Sequence, residues 1–171
     1  MRIETDRLII TQFTLDMARA VHENSLDEDN RRFVPDEVFE TEDEARDTIA
    51  FLMNCYSGEG PRVYPVLIKH GGENIGYVQL VPLGDGQWEI GYHIAKEHTG
   101  KGYATEAVKA FLPVISEAAG IREVLGVCLK DNAASKRVLQ KCGFEETYEG
   151  PGDYQGDERE IFRSLWKRPE R

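Results

Sequence analysis

Apolar positions recur along the chain with two periods, near two and near 3.6, and the switches between them divide it into elements. "RLIITQF", Arg7 to Phe13, has the β-branched content of a strand, and Thr14 is placed to cap a helix through Leu15, Ala18, Val21 and His22. "TEDEARDTIAFLMNCY" opens with Thr41 and Glu44 at capping-box spacing and sets Ala45, Ile49, Leu52, Met53 and Tyr56 on one helical stripe. Past the breaker "SGEGP" come three strand-like runs, "VYPVLIK", "NIGYVQLV" and "QWEIGYHIA". Their short glycine-bearing connections, "HGGE" and "PLGDG", predict antiparallel hairpins.

Helical spacing returns from Thr105 to Ala119, with Val108, Phe111, Leu112 and Ile115 inward and Gly120 as the stop. Pro113 inside this helix removes a bond to the Lys109 carbonyl and predicts a kink. "EVLGVCL" reads as a buried strand, and "DNAASKRVLQKCGF" as a helix capped by Asp131 or Asn132 and ended by Gly143. "FEETYEG" and "EREIFRSLW" then pair across the turn-rich "PGDYQGD". The order predicts an α+β fold, a mixed, mainly antiparallel sheet of about seven strands flanked by about four helices. A chain of 171 residues reads as a single domain over 1–171.

Charge narrows the partners. With 21 basic and 31 acidic side chains, net −10, the chain is a poor direct ligand for nucleic acid and suits a cationic partner. The three cysteines, Cys55, Cys128 and Cys142, are widely spaced and lack a CxxC pair, so neither a disulfide framework nor a zinc site is indicated. The four histidines lack HxxxH spacing, and no metal is expected. "MRIETDRLII" has no signal-peptide core, and no run approaches the roughly 20 apolar residues of a membrane span. A cytoplasmic protein without membrane contact is expected.

Chemistry concentrates in "EHTGKGYATEAVKAFL", Glu97 to Leu112. A helix start leaves backbone N–H groups unpaired and carries about half a positive elementary charge, so a glycine-rich entry makes an anion site. A triphosphate-binding loop needs Ser or Thr after its lysine, but Lys101 is followed by Gly102. A dinucleotide fingerprint needs a third glycine in a βαβ unit, but that position is Thr105 and hairpin-linked strands come first. There remains a loop cradling a pyrophosphate in an antiparallel context, or an ordinary strand-to-helix turn.

"GKGYATEA", followed by a strand and then "DNAASKRVLQKCGF", resembles the GNAT acetyltransferase superfamily, particularly its Rim-like branch, whose named members acetylate N-termini of ribosomal proteins. "ETDRLII" and "EIGYHI" also look like that branch, so the resemblance spans nearly the whole chain. It implies a GNAT fold, with acetyl-coenzyme A as co-substrate. Its pyrophosphate is expected on the backbone of Thr99, Gly100, Lys101, Gly102, Tyr103 and Ala104, its pantetheine arm along Asn132 and Ser135, and its acetyl oxygen near the main-chain N–H of Ile94. Two positions depart from the pattern. Glu97 stands where the family often has Gln or Arg, and Leu139 where many members carry a tyrosine general acid.

Acetyl transfer to an amine needs a deprotonated nucleophile and a tolerable leaving group. A thiol with a pKa near 8.5 leaves readily, and Ser135 is a candidate to hydrogen-bond the sulfur. Alternation along "QWEIGYHIA" puts Trp88, Ile90, Tyr92 and Ile94 on one face and Gln87, Glu89, Gly91 and His93 on the other. Glu89 is the preferred base and His93 the second choice. The acceptor, a peptide N-terminus or a small-molecule amine, is expected against the first two helices and "NRRFVPDEVFE", whose Asp36, Glu37 and Glu40 are candidates to attract it. A module that binds the coenzyme without turnover is the alternative, and a homodimer through the terminal strands is possible.

Overall fold

A computed structural model of the chain describes residues 1–170. Thirteen regular elements are ordered β1 (Ile3–Glu4), β2 (Leu8–Ile10), α1 (Ala18–Ser25), α2 (Glu28–Phe33), α3 (Glu42–Cys55), β3 (Arg62–Ile68), β4 (Asn74–Gly84), β5 (Gln87–Ile94), α4 (Tyr103–Ala118), β6 (Glu123–Leu129), α5 (Ala133–Lys141), β7 (Glu145–Tyr154) and β8 (Asp157–Lys167). The strands form one eight-stranded sheet in the order β1-β2-β3-β4-β5-β6-β8-β7. Every neighbouring pair is antiparallel except β5 and β6, which run parallel.

The α+β reading holds, with one strand and one helix more than the pattern predicted. The extra strand, Ile3–Glu4, pairs through Ile3 with Ile10 and Glu4 with Ile9 and is too short to show a period. The extra helix, α2, runs into the start of "NRRFVPDEVFE", read from sequence as a connection. Six polar-rich residues offer no stripe, and what makes them helical is the cap: Asp27 accepts from the Asn30 amide at 2.6 Å. The capping box at α3 is half formed. Thr41 Oγ1 accepts from the Glu44 amide, but Glu44 Oε2 accepts from the Glu40 amide, one residue further out. Asn132, not Asp131, caps α5 by accepting from the Ser135 amide. The secondary structure of α4 runs on through Pro113 to Ala118.

The last hairpin is longer than predicted. Pairing continues through "PGDY" until Tyr154 meets Asp157, leaving Gln155 and Gly156, both at positive φ, as the turn. Pro151 is tolerated because β7 is an edge strand. The extension matters because it carries Tyr154 to the site described below.

The main core packs α4 against the sheet: Val108, Phe111 and Leu112 meet Leu8, Ile10, Val66, Val78, Leu80, Val124 and Phe162, all at most 1% exposed. A smaller cluster of Phe13, Ala18, Ala45, Ile49 and Val63 seats α1 and α3. Among the described residues no helix is long and apolar enough to cross a membrane.

Candidate active site

Among the described residues β5 and β6 meet in register at a single pair, Glu89 with Leu125. Past it the parallel strands part, and a cleft of about 1230 Å³ opens along Ile90 to Ile94 on one side and Val127 and Cys128 on the other. The sheet is wedged apart where the sequence placed its candidate residues.

One end of the cleft is main chain. Thr99, Gly100, Gly102, Tyr103, Ala104 and Thr105 line it, with Gly100 at φ +75° and Gly102 at φ +81°. Helices α2, α3 and α5 each have a side-chain acceptor at the N-cap; α1 and α4 do not, and the N-cap of α4, Gly102, has no side chain to supply one. The first amides of α4 therefore face the cleft without a cap. A Cβ on Gly100 would meet nothing within 4 Å, so the backbone there is open to a ligand. Lys101 is exposed and outside the cleft lining, with its carbonyl accepting from Arg7 Nη1 at 2.9 Å. Glu97 is likewise exposed and outside the lining.

Arg7 clamps this loop. Its Nε donates to Glu106 Oε2 at 2.7 Å, and its guanidinium lies 4.3 Å from the centroid of the Tyr103 ring. Thr5 Oγ1 donates to the other Glu106 oxygen at 2.6 Å. Partial burial pushes the Glu106 carboxyl up, but the bonds from Thr5 and Arg7 outweigh it and hold the pKa below its ordinary value. "ETDRLII" thus supports the loop from the far edge of the sheet, a role invisible to a local reading.

Asn132 and Ser135 line the same cleft from the start of α5, as do Arg137 and Lys141 on that helix and Lys96 and His98 before the loop. Ser135 Oγ lies 2.7 Å from the Tyr92 hydroxyl, which also reaches the Ser135 carbonyl at 3.0 Å. Alternation had put Tyr92 on the face opposite Glu89; where the strands part, residues of both faces line the cleft. Burial raises the Tyr92 pKa and pushes the Cys128 thiol up to about 11, so both keep their protons at neutral pH. Leu139 is 1% exposed and packs in the core.

The other end is built from side chains. Glu89 faces it from β5, and burial, with the charge of Glu37 adding and Arg163 opposing, pushes its pKa up to about 7. Glu37 comes from the turn after α2; burial raises it to about 6 against the bond from Gln79, whose Nε2 donates to Glu37 Oε1 at 3.0 Å. His93 lines the same wall, but its Nε2 lies 3.2 Å from Asp27 Oδ2, and burial, opposed by Asp27, holds its pKa below the ordinary value. Its ring nitrogen is thus already engaged. Tyr154 crosses from β7 and donates to the Phe33 carbonyl at 2.5 Å. Of the three connector carboxylates expected at the acceptor, only Glu37 lines the cleft; Glu40 pairs with Arg31 at 2.6 Å on the surface, and Asp36 is exposed.

The sequence profile of the family described as an acetyltransferase (GNAT) domain matches residues 7–145. The chain is 31% identical over 144 residues to the uncharacterized N-acetyltransferase YnaD of Bacillus subtilis, covering 84% of this chain and 82% of that protein. In fold it is similar to a GNAT-family acetyltransferase from Bacillus anthracis, at TM-score 0.82 and 24% identity, with 98% of each chain covered. It is similar also to RimL, a ribosomal L7/L12 α-N-protein acetyltransferase solved with coenzyme A, at TM-score 0.83 and 17% identity, again over 98% of each.

Proposed function

We propose that this chain, which belongs to the GNAT acetyltransferase family, passes an acetyl group directly to a primary amine whose proton goes to Glu89. It is an acetyl-coenzyme A-dependent N-acetyltransferase. The observation that carries the mechanism is the polarity of one cleft, with uncapped helix amides at one end and a buried carboxylate near neutrality at the other.

The coenzyme supplies an activated thioester and a thiol leaving group. We assign its pyrophosphate to the backbone of Thr99 to Ala104, with Lys101 outside the cleft as a flanking cation, its arm to Asn132 and Ser135, and its acetyl oxygen to the Ile94 main chain. Glu89, with a pKa near 7, is about half ionised at neutral pH and accepts the proton of the ammonium, freeing the nitrogen lone pair for attack; the proton lost on amide formation leaves with the coenzyme thiol. An alkylamine, with a pKa near 10.4, needs that base more than an α-amine near 7.7 to 8.0. Ser135, hydrogen-bonded to the Tyr92 hydroxyl, donates to the departing sulfur in place of the family tyrosine that Leu139 replaces.

Thermal shift with acetyl-coenzyme A, NAD and ATP, followed by thiol release with a primary amine, tests this reading. A ligand at about 100 times its Kd stabilises by about 2.7 kcal/mol, which moves the midpoint by about 5 to 10 °C in a chain this size. The acetyl coenzyme alone should give that shift. A larger shift with a nucleotide, or coenzyme binding without thiol release to any amine, overturns it.

A further inference from the structure

Gln79 and Gly91 are register partners on β4 and β5. A Cβ on Gly91 would stand 2.4 Å from Gln79 Nε2 and 2.8 Å from its Cγ. The Gln79 side chain therefore lies across the strand where any other residue at 91 would stand, and its amide ends on Glu37 Oε1 at 3.0 Å. Three residues from three separate segments are fitted together, and the product is a carboxylate held at the acceptor end of the cleft beside Glu89.

The charge balance there is unfinished. Glu37 receives one hydrogen bond from a neutral amide, and no Lys, Arg or His among the described residues pairs with it. Asp27 is occupied by the Asn30 amide and His93. Arg163 is the cation that β8 brings to this end; it lies 5.5 Å from the Tyr148 ring centroid and acts on Glu89. Asp29 and Asp153 also line the cleft, and both add negative charge. When a protonated amine gives its proton to Glu89, both partners become neutral. Glu37 is then left as a desolvated anion, a state that a second positive charge on the acceptor relieves.

We infer that the acceptor is an amine carrying a second cationic group near its reacting nitrogen, recognised by Glu37 as Gln79 holds it across Gly91. The inference rests on the acetyltransferase reading. Glu37 is thus a specificity residue, and Gln79 and Gly91 are positioning residues.

Initial rates of thiol release from acetyl-coenzyme A with 1,4-diaminobutane and with 1-aminobutane test it, because the two differ in the second ammonium. The diamine should have a kcat/KM about tenfold or more above the monoamine, the size expected for one charged hydrogen-bonded contact. Glu37→Gln should raise KM for the diamine about tenfold while moving that of the monoamine by less than about threefold. Gly91→Ala, which displaces the Gln79 amide and leaves Glu37 in place, should act in the same direction and more weakly. It carries the test if Glu37→Gln does not fold, with the coenzyme-induced thermal shift reporting folding in each variant. Equal efficiency for the two amines, or a loss in Glu37→Gln that is the same for both, overturns the inference and leaves the reaction intact. Thiol release with a peptide N-terminus but not with the diamine does the same. No release with any amine overturns the reaction and the inference with it.

Discussion

The two ends of the cleft are built by opposite means. At the loop end the wall is main chain, Thr99, Gly100 and Gly102 to Thr105, with two left-handed glycines and an uncapped helix start. At the far end the groups are side chains, Glu89 from β5, Glu37 from a turn after α2, Gln79 from β4 and Tyr154 from β7. A main-chain site tolerates side-chain change but fails if the backbone is obstructed; a side-chain site keeps its shape through substitution and changes its selectivity. That difference fits a donor site that always takes one coenzyme and an acceptor site free to vary, and it orders the expected effects of mutation.

The largest effect belongs at the loop. Gly102→Val puts a β-branched side chain at φ +81°, where L residues are strained, and in the path of a ligand approaching the helix amides. The nearest atom to a Cβ there is Arg7 Nη2 at 3.6 Å, so the core is untouched and the fold should survive. Calorimetry should find coenzyme affinity reduced beyond about a hundredfold, with the far-ultraviolet spectrum unchanged. Wild-type affinity in this variant would mean that the loop is a mere turn, and the contrast between the two ends would collapse.

Next comes Glu89. Replacement by Gln should lower turnover of a high-pKa amine by about a hundredfold, the low end for a general base, and turnover of an N-terminal peptide by less. The wild-type pH profile of kcat/KM should rise through a midpoint near pH 7 as Glu89 ionises, and the Gln variant should lack that limb. Stability should move the opposite way. The folded-state pKa lies above the unfolded value of about 4.3, so between those pH values the native state binds more protons and loses stability as pH rises. Glu89→Gln should therefore raise Tm relative to wild type at pH 8 and much less at pH 4. A variant that kept the pH 7 limb would move the base elsewhere, with His93 the first place to look.

The same contrast governs what the sequence revealed. "HTGKGYATEA" could be singled out because its residues that line the cleft, His98 to Gly100 and Gly102 to Thr105, are neighbours along the chain and because glycines before a helical stripe mark an open helix start. Glu89 was singled out by strand alternation, and the order of β3, β4 and β5 follows from their short hairpin connections. The parting of β5 from β6 has no local signature, since it depends on where a parallel strand joins after a sixteen-residue helix. Arg7 and Glu106, 99 residues apart, and Glu37 and Gln79, 42 apart, meet only through the fold, and α2 was missed because a six-residue capped turn has no period to detect.

The smallest expected effect bears on whether the ends are coupled. Arg32 on α2 and Asp131, just before α5, form an ion pair at 2.5 Å that joins α2 to the start of α5. Their side chains are 61% and 59% exposed, so water screens the attraction and holding two mobile groups offsets much of it. Such pairs contribute about 1 kcal/mol or less, and the Debye length of about 3 Å in 1 M salt removes most of that. Arg32→Ala should therefore shift Tm by no more than about 2 to 4 °C in dilute buffer and by much less in 1 M salt. Coenzyme affinity in the variant should stay within about twofold of wild type, because Asn132 rather than Asp131 caps the helix that carries Ser135. A tenfold loss of coenzyme affinity would show instead that α2 closes over a bound coenzyme, and the two ends would have to be treated as one site.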